Sequence, residues 1–362
     1  NSGPPFVYVE NHHVVGYEPE DPFVWGERSV TEEWPAKGWQ HKLGGARKAH
    51  MLYKDQEIGT TLKNKAIEWM RKVHRADDSK PFFLYLATTN IHHPFTPAPQ
   101  FNGTSECGRY GDFIHELDWI VGEVLNELDE MNVSKNTLVI LTSDNGGMLN
   151  QGGQDAWEAG HRLNGNLLGF KFGAWEGGHR IPFIARWPGK IPAGTTSDQL
   201  LSHVDLLATF SAITGNPLDE EQPYDSYNLL PALTGNPTSM IRDQLVISPN
   251  SPDHLVIRKD KWVYIPAQDE GGFTQKNKGD HTLGGAAALS FTGQVNSDVA
   301  DGKIKEDAPH AQLYDLSSDP YQQINLYDQE PAMVKELEDI LKSWRNKAGP
   351  YPELGWIANR QK

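Results

Sequence analysis

Residues Thr137 to Gly147 read Thr-Leu-Val-Ile-Leu-Thr-Ser-Asp-Asn-Gly-Gly, so Asp144 and Asn145 stand side by side at the end of a β-branched and aliphatic run. The run has the length and composition of a fully buried strand. Its end sets a carboxylate and a carboxamide at the carboxyl edge of a strand, where an open α/β sheet binds ligands. Both side chains offer oxygen donors, which suits a hard divalent cation such as Ca2+. Gly146 and Gly147 permit the sharp turn such a loop needs. Read alone, the same residues are better taken as an Asx-Gly turn after a strand. The rest of the chain decides between the two.

Upstream, the strand-like Pro81-Phe82-Phe83-Leu84-Tyr85-Leu86 leads into Thr88-Thr89-Asn90-Ile91-His92-His93-Pro94. Downstream, Gly169-Phe170-Lys171 is followed by Trp175-Glu176-Gly177-Gly178-His179-Arg180-Ile181-Pro182 and by Arg186-Trp187-Pro188-Gly189. Near the end come Leu313-Tyr314-Asp315-Leu316, Asp319-Pro320 and Asn325-Leu326. In this order the chain resembles the formylglycine-dependent (type I) sulfatases of the alkaline-phosphatase-like superfamily, from about Pro5 to the final helix.

The resemblance assigns roles that the isolated residues do not. His92 alone is a polar loop histidine; matched to the family's His-x-Pro it contacts the sulfate ester and hydrogen-bonds the leaving or sulfuryl oxygen, a task suited to imidazole. Lys171 alone is a solvated lysine; matched to the family it binds sulfate and neutralises charge on the departing oxygen. Asp144 and Asn145 become metal ligands. His161, in Ala159-Gly160-His161-Arg162-Leu163-Asn164-Gly165, is a substrate contact or an ordinary loop histidine. Leu168 stands where many of these sulfatases carry Arg, which alters the local pocket but not the lysine. Arg180 is read as an ion pair organising the Gly-Gly turn rather than as an anion clamp.

Certain family features are absent from these residues. The sulfatases convert a Cys or Ser in Cys/Ser-x-Pro-x-Arg to formylglycine, whose hydrate attacks sulfur, and they carry an N-terminal Asp-Asp pair and a Gly-Lys-Trp-His segment. None occurs here, and the only cysteine, Cys107 in Glu106-Cys107-Gly108-Arg109-Tyr110, lacks the proline and the arginine spacing. The chain thus resembles the C-terminal portion of a sulfatase. A missing N-terminal segment is expected to supply the formylglycine and two further acidic ligands. Residues 1–362 alone are expected to be inactive and not to fold independently, because a sheet without its first strands exposes unpaired edges.

Composition sets the outer bounds. A chain of 362 residues can bury a substantial core and suggests one large domain plus a smaller one. With 48 acidic against 33 basic residues the net charge is −15, which disfavours nucleic acid and anionic membrane as partners. Any sulfated ligand must therefore meet a local cluster of Lys, His and Arg. No stretch is apolar for the roughly 20 residues of a membrane helix. A single cysteine allows no internal disulfide and leaves the redox compartment unread.

Periodicity places the elements. Ile58, Leu62, Ala66, Ile67, Met70 and Val73 predict a helix over about 56–74, and Phe113, Leu117, Ile120, Val121, Val124 and Leu125 a second with its acidic residues on the opposite face. Helix, strand, helix, strand implies a mainly parallel sheet. Residues 201–214 predict a helix closed by Gly215. A boundary near 238 separates the catalytic portion, 1–238, from a C-terminal subdomain, 239–362. In the latter, a hairpin over 254–265, a long loop over 266–309 and a last helix from Pro331 are expected. The first 50 residues, rich in Trp and His, are expected to be loops that contact glycan. The fold class is α/β: an alkaline-phosphatase-like sandwich with a large, mostly parallel central sheet, plus a smaller α+β subdomain with an antiparallel sheet.

The preferred reading is a calcium-dependent sulfatase acting on a sulfated carbohydrate, in an extracytoplasmic setting (periplasmic, secreted or lysosomal). The alternatives are a phosphomonoester or phosphonate ester hydrolase of the same superfamily and a degenerate glycan-binding relative.

Overall fold

Two long helices, Ile58–Ala76 and Gly108–Glu130, pack against each other in the first of two compact units. The computed structural model describes residues 6–16, 24–25, 48–49, 52–219, 225–235, 237, 239–272 and 281–347. The first unit comprises Asn1–Leu138 and Asn150–Arg162; the second, Val139–Leu149 and Leu163–Lys362. Most of the N-terminal segment expected to contact glycan lies outside the described residues.

Ile58, Ala66 and Met70 bury the expected stripe of the first helix, and Phe113, Ile120 and Leu128 that of the second. The acidic residues depart from expectation. Asp112, Glu116 and Glu127 lie on the buried side of the second helix. Glu127 is there because Arg71 clasps it with two hydrogen bonds, Nε to Oε1 at 2.7 Å and the terminal nitrogen to Oε2 at 2.5 Å. A simple amphipathic reading has no means of seeing a partner on another helix. A third helix, Gln151–Glu158, packs on the second and is capped by Asn150, whose Oδ1 accepts the Gly153 N–H at 3.4 Å.

Residues 81–86 alternate between exposed and half-buried, but they are not a hydrogen-bonded strand. Period-2 patterning dictates an extended backbone; a ladder also needs a neighbour.

In the second unit, Val139–Thr142 is the expected strand. It pairs antiparallel with Phe183–Arg186, Val139 opposite Arg186 and Thr142 opposite Phe183. Every ladder among the described residues is antiparallel, so the parallel pairing expected for this region has no counterpart there. The mixed α/β class stands. A four-stranded sheet runs in the order Gln312–Asp315, Trp262–Ile265, Val256–Lys259, Gln244–Ile247. The final helix, Pro331–Lys347, lays Val334, Leu337 and Leu341 on Leu255, Ile257, Tyr264 and Leu313. The other face of the sheet packs Val256, Val263 and Tyr314 against Leu168, Ala174 and Trp175. The helix closed by Gly215 runs Leu206–Thr214, and Gly215 takes the left-handed conformation expected of it, φ 68°.

The segment 266–309 is not one long loop. It holds a helix, Gly285–Thr292, and a small hairpin, Val299–Ala300 with Lys303–Ile304. Two carboxylates some fifteen residues upstream make that helix: Asp269 Oδ1 accepts the Ala286 N–H at 2.8 Å, and Glu270 accepts that of Gly285.

Candidate functional site

Asp144 is exposed and Asn145 half-buried, just past the end of the Val139–Thr142 strand. Asn145 Nδ2 donates to the Gly146 carbonyl at 3.0 Å, and Ser143 Oγ donates to the Asn145 carbonyl at 3.1 Å. With its amide nitrogen so engaged, Asn145 has its carboxamide oxygen to offer a cation. The glycines serve a purpose other than the expected turn. Neither Gly146 nor Gly147 has positive φ. Instead Gly146 N–H donates to the Gly178 carbonyl at 3.0 Å, and a Cβ on Gly146 would lie 1.8 Å from the Gly177 carbonyl oxygen. Close backbone contact between the Asp144 loop and the Glu176-Gly177-Gly178 turn is what demands glycine.

Lys171 belongs to the same construction. Its N–H donates to the Gly147 carbonyl at 2.8 Å. Asn164 bridges the two loops, accepting the Gly147 N–H at Oδ1, 2.6 Å away, and donating from Nδ2 to the Gly169 carbonyl at 3.1 Å. The turn itself is strained: Phe172 adopts φ 82°, a left-handed conformation that a bulky residue rarely takes. Asn250 N–H holds the Phe172 carbonyl at 2.9 Å, and the Lys171 ammonium lies 5.2 Å from the Phe172 ring centroid. Burial lowers the Lys171 pKa, and the negative charge of Asp144 works against that shift.

The following turn is organised by Glu176, which is 1% exposed. It pairs with His179 at 3.5 Å and with Arg180 and Arg258 at 3.4 Å each. Burial pushes its carboxyl up, but the pull of His179, Arg258 and Arg180 outweighs that and holds it below the usual range. Arg180 thus makes the ion pair expected of it. Leu168 is buried in the core with Trp175 and Val263, so the departure from Arg at this place is a packing feature here.

The first unit carries the two histidines. His92 is half-buried; its Nδ1 lies 2.7 Å from the His93 carbonyl, and its N–H donates to Thr89 O at 2.9 Å. A carbonyl only accepts, so Nδ1 carries the hydrogen of this contact. The loop is braced by Glu116, whose Oε2 accepts Asn90 Nδ2 at 3.3 Å and Ala98 N–H at 3.4 Å. His161 packs its ring 5.7 Å from that of Tyr110. Burial, then the charge of Arg162, lowers its pKa. The structure therefore joins Asp144, Asn145 and Lys171 in one unit and places His92 and His161 in the other.

Asp144 and Asn145 fit calcium by donor chemistry, as two oxygen ligands of the six to eight that the ion takes. Among the described residues no group of three or more His, Cys, Asp or Glu side chains forms a metal site. Cys107 sits as the residue preceding the Gly108–Glu130 helix, half-buried, with its N–H bonded to Ser105 Oγ at 2.9 Å. Sequence reading missed Glu270 and the strained Phe172; Asn164 was visible only as part of an Asn-Gly pair.

The fold is mixed α/β and is that of the alkaline-phosphatase-like superfamily. The family model described as Sulfatase matches residues 21–216, more than half the chain, and the chain belongs to the sulfatase family. An N-acetylgalactosamine-6-O-sulfatase of Bacteroides thetaiotaomicron is 33% identical over 374 residues, covering 95% of this chain and 66% of that protein. Arylsulfatase H of Homo sapiens is 29% identical over 323 residues, covering 84% and 53%. A solved structure, from work on the metabolism of multiple glycosaminoglycans by Bacteroides thetaiotaomicron, matches with a TM-score of 0.73 and 32% identity, covering 94% of this chain and 70% of that one. The chain thus spans 66% and 53% of the two curated relatives' lengths.

Proposed function

We propose that this chain is the greater part of a sulfatase that hydrolyses sulfate esters of a sulfated carbohydrate. The observation that carries the reading is the backbone bridge from Lys171 N–H to the Gly147 carbonyl at 2.8 Å, which fixes a cation to the loop bearing Asp144 and Asn145. An ammonium so fixed stabilises charge developing on an ester oxygen without reorganising during the reaction. His92 protonates or hydrogen-bonds the leaving sugar oxygen. His161 contacts the substrate. Asp144 and Asn145 would hold Ca2+, which would supply polarisation of a sulfate oxygen. The nucleophile in this reading is a formylglycine, with two further acidic ligands completing the metal site. Residues 239–362 form the C-terminal subdomain, and the setting is extracytoplasmic. Among the described residues no helix is long and apolar enough to cross a membrane.

The relatives named for N-acetylgalactosamine 6-sulfate make that ester the first substrate to try. The intact enzyme is offered 6-O-sulfated N-acetylgalactosamine, and released sulfate is measured with and without a calcium chelator; 4-nitrophenyl sulfate and 4-nitrophenyl phosphate run in parallel. Chelator-sensitive sulfate release supports the proposal. Preference for the phosphate ester replaces it with a phosphomonoesterase, and glycan binding without turnover replaces it with a binding protein.

A further inference from the structure

One buried carboxyl grips the loop that carries Lys171. Glu270 Oε1 accepts the Phe170 N–H at 2.7 Å, and its main-chain carbonyl accepts the Ala174 N–H, also at 2.7 Å. Phe170 and Ala174 flank Lys171-Phe172-Gly173, so a single residue holds both sides of the turn. Oε2 accepts the Gly285 N–H, which fastens the grip to the start of the Gly285–Thr292 helix.

The placement is costly. Glu270 is 1% exposed, and among the described residues no cation pairs with it; its side-chain oxygens take backbone N–H groups instead. Burying a carboxyl without a counter-charge opposes folding. The surroundings are shaped to admit it: a Cβ on Gly173 would lie 1.8 Å from Oε1, one on Gly169 2.8 Å from Oε1, and one on Gly284 2.7 Å from Oε2. An apolar side chain of similar length would fill the space without accepting either N–H. The loop it steadies is the one with the strained Phe172, φ 82°, a conformation that persists only where neighbours over-determine it.

We propose that Glu270 is a positioning residue for sulfate-ester hydrolysis, setting the place of the Lys171 ammonium through the Phe170 and Ala174 N–H groups. It acts through Lys171 and does not touch the substrate. The inference rests on the role given to Lys171 above.

A double-mutant cycle in the intact enzyme tests it. Glu270→Ala is expected to lower kcat roughly 10- to 100-fold, the scale of a small misplacement of a reacting group. KM should change far less. Glu270→Gln keeps an acceptor for the Phe170 N–H and is expected to recover most of the turnover. In a Lys171→Ala background, Glu270→Ala should cost less than about twofold, because the group it positions is gone. Equal losses in both backgrounds would overturn the proposal and leave Glu270 a packing residue. Near-normal turnover of Lys171→Ala alone would instead overturn the role of Lys171. Melting curves establish that each variant is folded. If Glu270→Ala is not, Glu270→Asp, which withdraws the carboxyl by one methylene, is carried through the same cycle against the same two outcomes.

Discussion

Lys171 and Gly147 share a main-chain hydrogen bond of 2.8 Å, so the candidate anion-binding lysine and the candidate metal loop move as one piece. Asn164 reinforces the joint from both sides, at 2.6 Å to Gly147 and 3.1 Å to Gly169. In the intact enzyme, Lys171→Ala is expected to reduce kcat by a factor on the order of one hundred, as loss of one preorganised charge donor does. Asn164→Ala should also reduce kcat, with the ammonium still present. Steady-state kinetics on a sulfate ester decide both.

Calcium gives a second expectation. In a calcium-bound structure of the intact enzyme, an Asp144 carboxylate oxygen and Asn145 Oδ1 should lie about 2.3–2.6 Å from the ion. Asp144→Ala should weaken calcium affinity, read by titration calorimetry. An ion bound elsewhere, with both side chains turned to solvent, would remove these residues from the metal site.

Two glycines should respond to alanine with opposite sign. Gly146 faces the Gly177 carbonyl, 1.8 Å from where a Cβ would stand, and a backbone atom cannot swing aside. Gly146→Ala is expected to cost about 1–3 kcal/mol, as overpacking does, and to weaken calcium binding. Gly122 lies inside the Gly108–Glu130 helix, where a Cβ would meet nothing within 4 Å. There alanine should add roughly 0.5–1 kcal/mol through helix propensity. Denaturant melts of the two variants give the comparison directly.

What was legible in the sequence was local. The Val139–Thr142 strand, the hairpin through Asp260, the final helix and the Gly215 cap all follow from periodicity or from one residue's conformational freedom. Features that depend on a distant partner were not. Residues 81–86 have the alternation of a strand but no ladder. The Gly285–Thr292 helix reads as loop until Asp269 and Glu270 are brought to its first turn. Glu116 and Glu127 sit on the buried side because Asn90 and Arg71 reach them from other segments. Of the candidate site, Asp144, Asn145 and Lys171 were named from motif spacing, whereas the groups bracing them, Asn164 and Glu270, carry no spacing signal.

The most deeply buried ion pair among the described residues also makes a prediction. Arg242 is 3% exposed and holds Asp205, 0% exposed, with two bonds, 2.6 Å to Oδ1 and 3.2 Å to Oδ2. Asp205 in turn accepts the Ser202 and Tyr227 N–H groups at 2.8 and 2.9 Å. Removing the cation strands a buried carboxylate, so Arg242→Leu should destabilise by about 3–5 kcal/mol. Replacing both partners with apolar residues, Arg242→Leu with Asp205→Leu, should cost less than the two single losses added together. Chemical denaturation of the four proteins measures the difference.

Glu270 finally makes stability depend on pH in a direction opposite to most carboxylates. Burial raises its pKa from 4.5 to about 8, the Phe170 and Gly285 N–H groups oppose the rise, and the charge of Asp269 adds to it. The folded state therefore holds this proton more tightly than the unfolded chain. Below the unfolded pKa both states are protonated and the contribution is fully present. As pH climbs, the unfolded chain ionises first, so stability falls across the window from 4.5 to about 8 and levels off above it. Glu270→Gln cannot ionise and should flatten that part of the curve. The variant's melting temperature should gain on wild type with each step from pH 5 to pH 8, even if Gln starts lower because it meets only one of the two N–H groups well. Parallel pH curves for the two proteins would mean that Glu270 is already ionised in the folded state, held by its two N–H donors despite its burial.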